Sequence, residues 1–296
     1  MIKRTLYFGN PAYLSTTNEQ LVVERPEQAA HTVPIEDIGL VVLDHQQITI
    51  SQALMAKLLA NNVALITCNH THHPTGLLLN LDGHSLQSQR FKEQLASSLP
   101  LRKQLWQQTV EAKIRNQAAA LAEQRQEAKY LLRLADTVKS GDTGNHEARA
   151  ALFYWGRFFP DFLQFTRHRD GPPPNNLLNY GYAIVRAMVA RALVGSGLLP
   201  VMGIHHRNQY NAYCLADDIM EPYRPYVDRM VFQIVRDHGK FLELSPSMKK
   251  QLLELPTLDV AIEGQTSPMM VAISRTTASL AKCFEGTIRK ISYPTL

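Results

Sequence analysis

The stretch from Gly203 to Pro225, GIHHRNQYNAYCLADDIMEPYRP, constrains this chain more than any other. It sets His205 and His206 before a polar turn holding Asn208 and Asn211. Asp217, Asp218 and Glu221 follow, closed by Pro222, Arg224 and Pro225. If Tyr213 to Glu221 is helical, Asp217 and Asp218 precede Glu221 by four and three positions and share its face. Like charges so placed repel each other by roughly a few tenths of a kcal/mol per exposed pair. Two readings are open. One is a solvated acidic face beside two surface histidines. The other is a group of carboxylates and imidazole around a divalent cation that also holds an oxygen-rich substrate such as phosphate.

Before that stretch the sequence changes character once. Leu6–Phe8, Ala12–Leu14, Leu21–Val23 and His31–Val33 are short runs of β-branched or aromatic residues, divided by turn residues such as Gly9-Asn10-Pro11 and Glu24-Arg25-Pro26. Ile38–Leu43 is a continuous apolar run, as in a strand buried on both faces, and Ile48–Ile50 is a further short strand. Ser51 caps a helix with Leu54, Met55, Leu58 and Leu59 on one stripe. Val63–Thr67 and Thr75–Asn80 return to strand. Cys68 with His70, His72 and His73 resembles a soft metal site, but a polar loop at a strand end accounts for it better, because one short loop rarely supplies the geometry.

Past Asp82-Gly83-His84 the pattern is helical. Leu101–Gln124 carries Leu105, Val110, Ile114 and Ala118 along one face, and Ala128–Val138 is a second helix. A turn at residues 140–145 leads to a helix from His146 with Glu147 in its first turn, where the helix dipole favours a negative side chain. Arg167 and Arg169 lie in a loop ending in three prolines, and arginine suits bidentate phosphate contact. Asn175 or Asn176 then caps a long helix to about Val194, apolar nearly all round. Tyr226–Asp237, Pro246–Leu253 and Ser267–Glu285 are read as the remaining helices.

The fold class is therefore α+β. A small N-terminal β-rich domain, residues 1–85, precedes a larger all-α domain, residues 86–296. A net charge of +5 permits one basic groove without coating the surface, and nucleic acid is the usual partner of such a groove. Three widely spaced cysteines with no C-x-x-C pair support neither a zinc ribbon nor a disulfide framework, and fit a cytoplasmic location. The N-terminus does not read as a signal peptide, and no uninterrupted apolar stretch approaches the roughly 20 residues of a membrane helix.

Three segments carry a resemblance. Gly203-x-x-His206, Asn208-x-x-Asn211 and the run Asp218-Ile-Met-Glu-Pro-Tyr-Arg-Pro225 are similar to the central signature of the CRISPR-associated spacer-acquisition integrase. That family is the universal adaptation protein of these bacterial immune systems, and the variant resembles the one encoded beside type II loci. Gly144–Ala151, leading to Tyr154-Trp155, is similar to its first acidic motif, and Asn179–Tyr182 to its long central helix. The N-terminal part matches only in general character.

The resemblance implies that Glu147, His206 and Glu221 are catalytic and bind Mg²⁺ or Mn²⁺. His206 is selected by counting three positions from Gly203, with His205 as a neighbour or supporting donor. Asp218 is a further ligand or a group that orients one. It also implies strand transfer, in which the 3′-hydroxyl of a captured fragment attacks a phosphodiester at the edge of a CRISPR repeat. The partners implied are double-stranded DNA, a homodimer mate, a small ferredoxin-like adaptation protein and the RNA-guided effector nuclease of the locus. The N-terminal domain would serve dimerisation and docking. Arg167, Arg169, Arg224 and Lys290 are candidates for DNA contact. Two alternatives stand beside this: a metal-dependent nuclease that only hydrolyses nucleic acid, and a non-catalytic DNA-binding dimer.

Overall fold

The computed structural model describes residues 3–160, 165–239 and 241–296. The expected short strands all form: β1 (Arg4–Phe8), β2 (Ala12–Thr17), β3 (Gln20–Glu24), β4 (His31–Pro34), β5 (Ile38–Leu43) and β6 (Ile48–Ile50), with β7 (Ala64–Cys68) and β8 (Pro74–Leu78) after helix α1 (Gln52–Ala60). They build two sheets. β1, β5 and β7 run parallel with β8 antiparallel at the edge, and β4, β3 and β2 run antiparallel with β6 parallel to β2. Ser51 caps α1 as expected, its hydroxyl accepting from the Leu54 amide at 3.3 Å.

The apolar run of β5 is explained by its place between two cores. Ile38 and Val41 face a cluster with Leu14, Leu54 and Leu58, whereas Leu40 and Val42 face the helices. β7 alternates in the same way, with Leu65 on one side and Ala64 and Ile66 on the other. A parallel sheet covered on both faces shows continuous rather than alternating hydrophobicity.

The rest is helical: α2 (Gln87–Ala96), α3 (Leu99–Glu123), α4 (Lys129–Asp136), α5 (His146–Phe158), α6 (Asn175–Gly195), α7 (Cys214–Met220), α8 (Arg224–His238), α9 (Pro246–Leu252) and α10 (Met269–Glu285). Three details differ from expectation. An antiparallel hairpin, β9 (Asp259–Ile262) with β10 (Gln265–Pro268), interrupts the helices, and its two-residue turn puts Glu263 and Gly264 at φ 53° and 74°. Ser267 accordingly belongs to a strand, and α10 begins at Met269. Asn175 does not cap α6: its Oδ1 accepts from Arg167 and the His168 amide, and its Nδ2 donates to the Thr166 and Pro172 carbonyls, tying the preceding loop.

α6 is the one helix among the described residues long and apolar enough to cross a membrane, but 78% of its apolar window is buried inside the protein. It is the central strut. Arg191 on it donates to the Asn62 carbonyl in the turn before β7. A second tie between the β-rich and helical parts is buried. Asp44, after β5, accepts from Tyr7 at 2.6 Å and from Lys249 of α9 at 2.9 Å, and pairs with His72 at 2.9 Å.

Candidate active site

α3 is the element on which the site is built. Its 25 residues, rich in Ala, Gln, Leu and Lys, start at Ser98, whose hydroxyl accepts from the Leu101 amide. One face carries Leu105, Val110, Ile114 and Ala118 into the core, as read from the sequence. A second inward stripe is polar: Thr109, Lys113, Asn116 and Gln117, all buried. Asn116 Nδ2 donates to the Pro222 carbonyl at 2.8 Å and so pins the turn that carries Glu221.

Glu147 is fixed by its helix terminus. Asn145 takes a left-handed φ of 52°, and Asp142 supplies the cap, accepting from the His146 amide at 2.8 Å and the Glu147 amide at 2.9 Å. Glu147 Oε1 then lies 2.6 Å from Lys113 Nζ, and Glu221 Oε2 lies 2.5 Å from the same nitrogen. Carboxylates 74 positions apart in sequence thus converge on one point. Glu221 Oε1 accepts from Arg224 Nε at 2.8 Å. Burial alone would raise the Glu221 carboxyl, but the Arg224 and Lys113 charges outweigh it and hold it well below the usual range.

The histidines are placed by Gly203 and Asp218. A Cβ on Gly203 would stand 2.3 Å from the His206 carbonyl oxygen and 2.8 Å from Asp218 Oδ2, so only glycine lets the loop close onto α7. Asp218, wholly buried, accepts from the His205 amide at 2.9 Å and the His206 amide at 3.2 Å, and contacts His206 Nδ1 at 2.5 Å. That bond raises the His206 pKa, with the charges of Asp218, Glu221 and Glu147 adding to it against burial. Nδ1 is engaged, so Nε2 is the nitrogen left to meet a ligand. The His205 ring stacks 4.1 Å from Trp106 of α3, whose edge also meets the His206 ring at 5.6 Å, and burial lowers the His205 pKa.

The acidic residues of α7 do not share one cation. Asp217 pairs with Arg186 of α6 at 2.6 Å and accepts from Asn211, Asp218 serves the histidines, and Glu221 takes Lys113 and Arg224. α7 ends at Met220, and Glu221, still at helical φ −52° and ψ −45° with its amide donating to the Asp218 carbonyl, opens a 3₁₀ turn over Glu221–Tyr223. Asn208 and Asn211 make local turns through their side chains, each accepting from the amide two residues on.

Three of the four basic candidates meet. Arg167, Arg169 and Arg224 line a cavity of about 240 Å³ together with Arg186, His73 and Asn179. Arg224 and Arg186 are neutralised by Glu221 and Asp217. Arg167 is braced by the neutral oxygens of Asn175 and Asn179, and no carboxylate among the described residues pairs with Arg169. The cavity keeps a positive excess suited to an anion. A second cavity, about 130 Å³, adjoins it through Arg167, Tyr182 and Arg224 and reaches Lys113, Gln117 and Asp228. Burial pushes the Asp228 carboxyl up to about 7, against the Tyr182 and Tyr154 hydroxyls that donate to it. Lys290 is exposed on the C-terminal segment pinned to Gln108 and has no bond to the cluster among the described residues. Nor do Cys68, His70, His72 and His73 form a metal group: His72 bonds Asp44, and burial pushes the Cys68 thiol up to about 12.

Lys113, Asp142 and Arg186 were not among the sequence candidates. The one available signal for Lys113 was its spacing to Thr109, Asn116 and Gln117, a polar stripe at i±3 and i±4 within a helix already showing one apolar face.

The fold has known counterparts. A curated relative from Neisseria meningitidis serogroup C (strain 8013), "CRISPR-associated endonuclease Cas1", is 37% identical over 94% of this chain and 91% of its own length. Among solved structures, "Casposase bound to integration product" superposes with a TM-score of 0.79 at 18% identity, covering 98% of this chain and 92% of that one. A "Cas6-RT-Cas1--Cas2 complex" superposes with a TM-score of 0.76 at 19% identity, covering 98% of this chain and 36% of that one. The family described as "CRISPR associated protein Cas1" matches residues 6–240, from within β1 past the end of α8, and so includes the turn that carries Glu221. A match spanning both sheets and the carboxylate cluster, with a relative this similar over nearly the full length, establishes that the chain belongs to the CRISPR-associated Cas1 family.

Proposed function

We propose that this protein inserts short DNA fragments into a CRISPR array by metal-dependent strand transfer. The observation that carries the reading is the convergence of Glu147 and Glu221 on a single cationic point, beside a histidine oriented by Asp218 and a cavity lined by four arginines. The similar proteins, a CRISPR-associated endonuclease and a casposase bound to its integration product, support DNA as the substrate.

Mg²⁺ or Mn²⁺ fits the residues present. Glu221 Oε2 is buried, and its charge is met by Lys113 Nζ at 2.5 Å with no further hydrogen-bond partner among the described residues. In this conformation no three acidic, histidine or cysteine side chains among the described residues stand close enough together to hold an ion, and Lys113 occupies the point between the carboxylates. With Lys113 displaced, Glu221, a Glu147 oxygen and His206 Nε2 would supply the carboxylate-rich donor set that a hard divalent ion takes. When bound, such an ion polarises a phosphate and neutralises the charge that develops on it. The chain's own groups do the rest. Asp218 fixes the His206 ring and its tautomer, Arg224 holds the second Glu221 oxygen, and Arg167 and Arg169 offer guanidinium groups to the backbone of an entering strand. Phosphate contacts fix position without reading sequence, so the choice of repeat falls to DNA shape and partners.

The assembly extends the same reading: a cytoplasmic homodimer that joins a small ferredoxin-like adaptation protein, double-stranded DNA and the locus's RNA-guided nuclease. A Cas1–Cas2 complex among the structural neighbours supports the second component.

The test is incubation with a supercoiled repeat-bearing plasmid and a labelled fragment. Covalently joined products are expected, and nicks without joining would replace strand transfer with hydrolysis. Asp218→Asn should lower the His206 pKa, followed by NMR titration, because the bond that raises it loses its charge. The same variant should reduce joining by about 10–100-fold, as is typical when the partner of a ligating histidine is changed. DNA affinity should fall steeply with salt, and Arg169→Ala should lower the log–log slope by about 1, one phosphate contact's share. A flat salt response would remove the phosphate-binding cavity from the account.

A further inference from the structure

We propose that Lys113 is a resident counterion with two seats: it bridges Glu147 and Glu221 until a divalent ion enters, then moves one helical turn along α3 to Gln117. The inference rests on the metal reading above.

The first seat is shown by distance. The ammonium lies 2.6 Å from Glu147 Oε1 and 2.5 Å from Glu221 Oε2, and the residue is 8% exposed. Two carboxylates held this close, one of them buried, repel strongly in a medium of low polarity. One lysine relieves that repulsion for both. Among the described residues no other cation pairs with Glu147, and Arg224 reaches only the far oxygen of Glu221. A divalent ion taking the same two oxygens cannot coexist with an ammonium at that point.

The second seat is inferred from an unsatisfied atom. Gln117 Oε1 is buried and has no hydrogen-bond partner, which is uncommon for a buried acceptor. Gln117 follows Lys113 by four positions on α3, so the two stand one above the other on the same face. Both line the 130 Å³ cavity, as does Asp228. The lysine stem is four flexible carbons ending in three donors. The ammonium therefore has a neighbouring acceptor and an open volume to enter, and it stays charged throughout.

The consequence is that the site keeps its shape without the divalent ion, at some loss of affinity for it, because a ligand must displace the lysine. The two seats give opposite expectations for two variants of the full-length protein, read by calorimetric Mn²⁺ titration and by melting in EDTA. Lys113→Met should bind Mn²⁺ about tenfold or more tightly than wild type, within the usual range of such couplings. It should also melt lower than wild type in EDTA, with the gap closing as Mn²⁺ is added. Gln117→Leu should bind Mn²⁺ several-fold more weakly while melting in EDTA no lower than wild type. Equal Mn²⁺ affinity in Lys113→Met and wild type would overturn the first seat. Unchanged affinity in Gln117→Leu would overturn the second, and this arm stands even if Lys113→Met fails to fold. Absence of Mn²⁺ binding in all three proteins would overturn the metal reading itself and this inference with it.

Discussion

Glu221→Gln is expected to lower strand transfer by at least roughly 10²–10³-fold while leaving DNA affinity nearly unchanged. The range is that seen when one preorganised stabiliser of developing charge is removed. Gln keeps the volume of Glu and still accepts from Arg224, so the Glu221–Tyr223 turn and its bond from Asn116 are retained. What disappears is the negative charge that, with Glu147, defines the cationic point at Lys113. Alanine is a blunter choice, because it strands both Lys113 and Arg224 without a carboxylate and confounds chemistry with folding. The measurement pairs the yield of joined plasmid product with fluorescence anisotropy on the same DNA. A variant as active as wild type would reduce the cluster to a structural ion pair and leave a DNA-binding protein without chemistry at this point.

The second large effect is on stability. Lys249→Met should destabilise the fold by about 3–5 kcal/mol, the usual result of removing one partner of a buried ion pair. Asp44 is wholly buried, the Lys249 side chain is 6% exposed, and the 2.9 Å bond between them joins the loop after β5 to α9. Tyr7 and His72 remain as hydrogen-bond partners, but the ammonium charge that met the carboxylate is gone. Burial pushes the Asp44 carboxyl up, and its bonds from Tyr7, Lys249 and His72 more than offset this, so its pKa is lowered from 3.8. A lowered carboxyl contributes stability above its ordinary value and loses it as pH falls through the lowered one. The difference between wild type and variant should therefore be full near neutrality and shrink below about pH 4. Chemical denaturation at pH 7 and pH 3.5 measures it. A Lys249→Met, Asp44→Leu double variant should regain much of the loss. Equal midpoints for wild type and Lys249→Met at pH 7 would show that this bond does not hold the two parts together.

The strands and helices were legible because their signals are local. Ile38–Leu43 and Ile48–Ile50 form with the bounds read from the sequence, Ser51 caps as its position requires, and the helix at His146 starts where the glycine-asparagine turn ends. The β9–β10 hairpin was missed although Glu263-Gly264 between two short β-prone runs is a two-residue turn signal. The site was half legible. The metal-binding roles of the carboxylates and His206 came from resemblance, and spacing alone could not anticipate that Asp217, Asp218 and Glu221 each take separate partners, Arg186, His206 and Lys113 with Arg224. Lys113 was illegible for a different reason. A lysine in a helix rich in charged and amide residues reads as solvated, and only the fold brings it to carboxylates 34 and 108 positions away.

The sheet bounded by two cores bears on how this protein can be dissected. Leu40, Val42, Ala64 and Ile66 belong to the strands by covalent order and to the helical core by packing. Severing the chain where the helices begin would strip α6 of its cover and bare an oily face on the other piece. The seam visible in the sequence near residue 85 is a change of architecture, and trimming a fragment there would yield two sticky halves in place of two working modules.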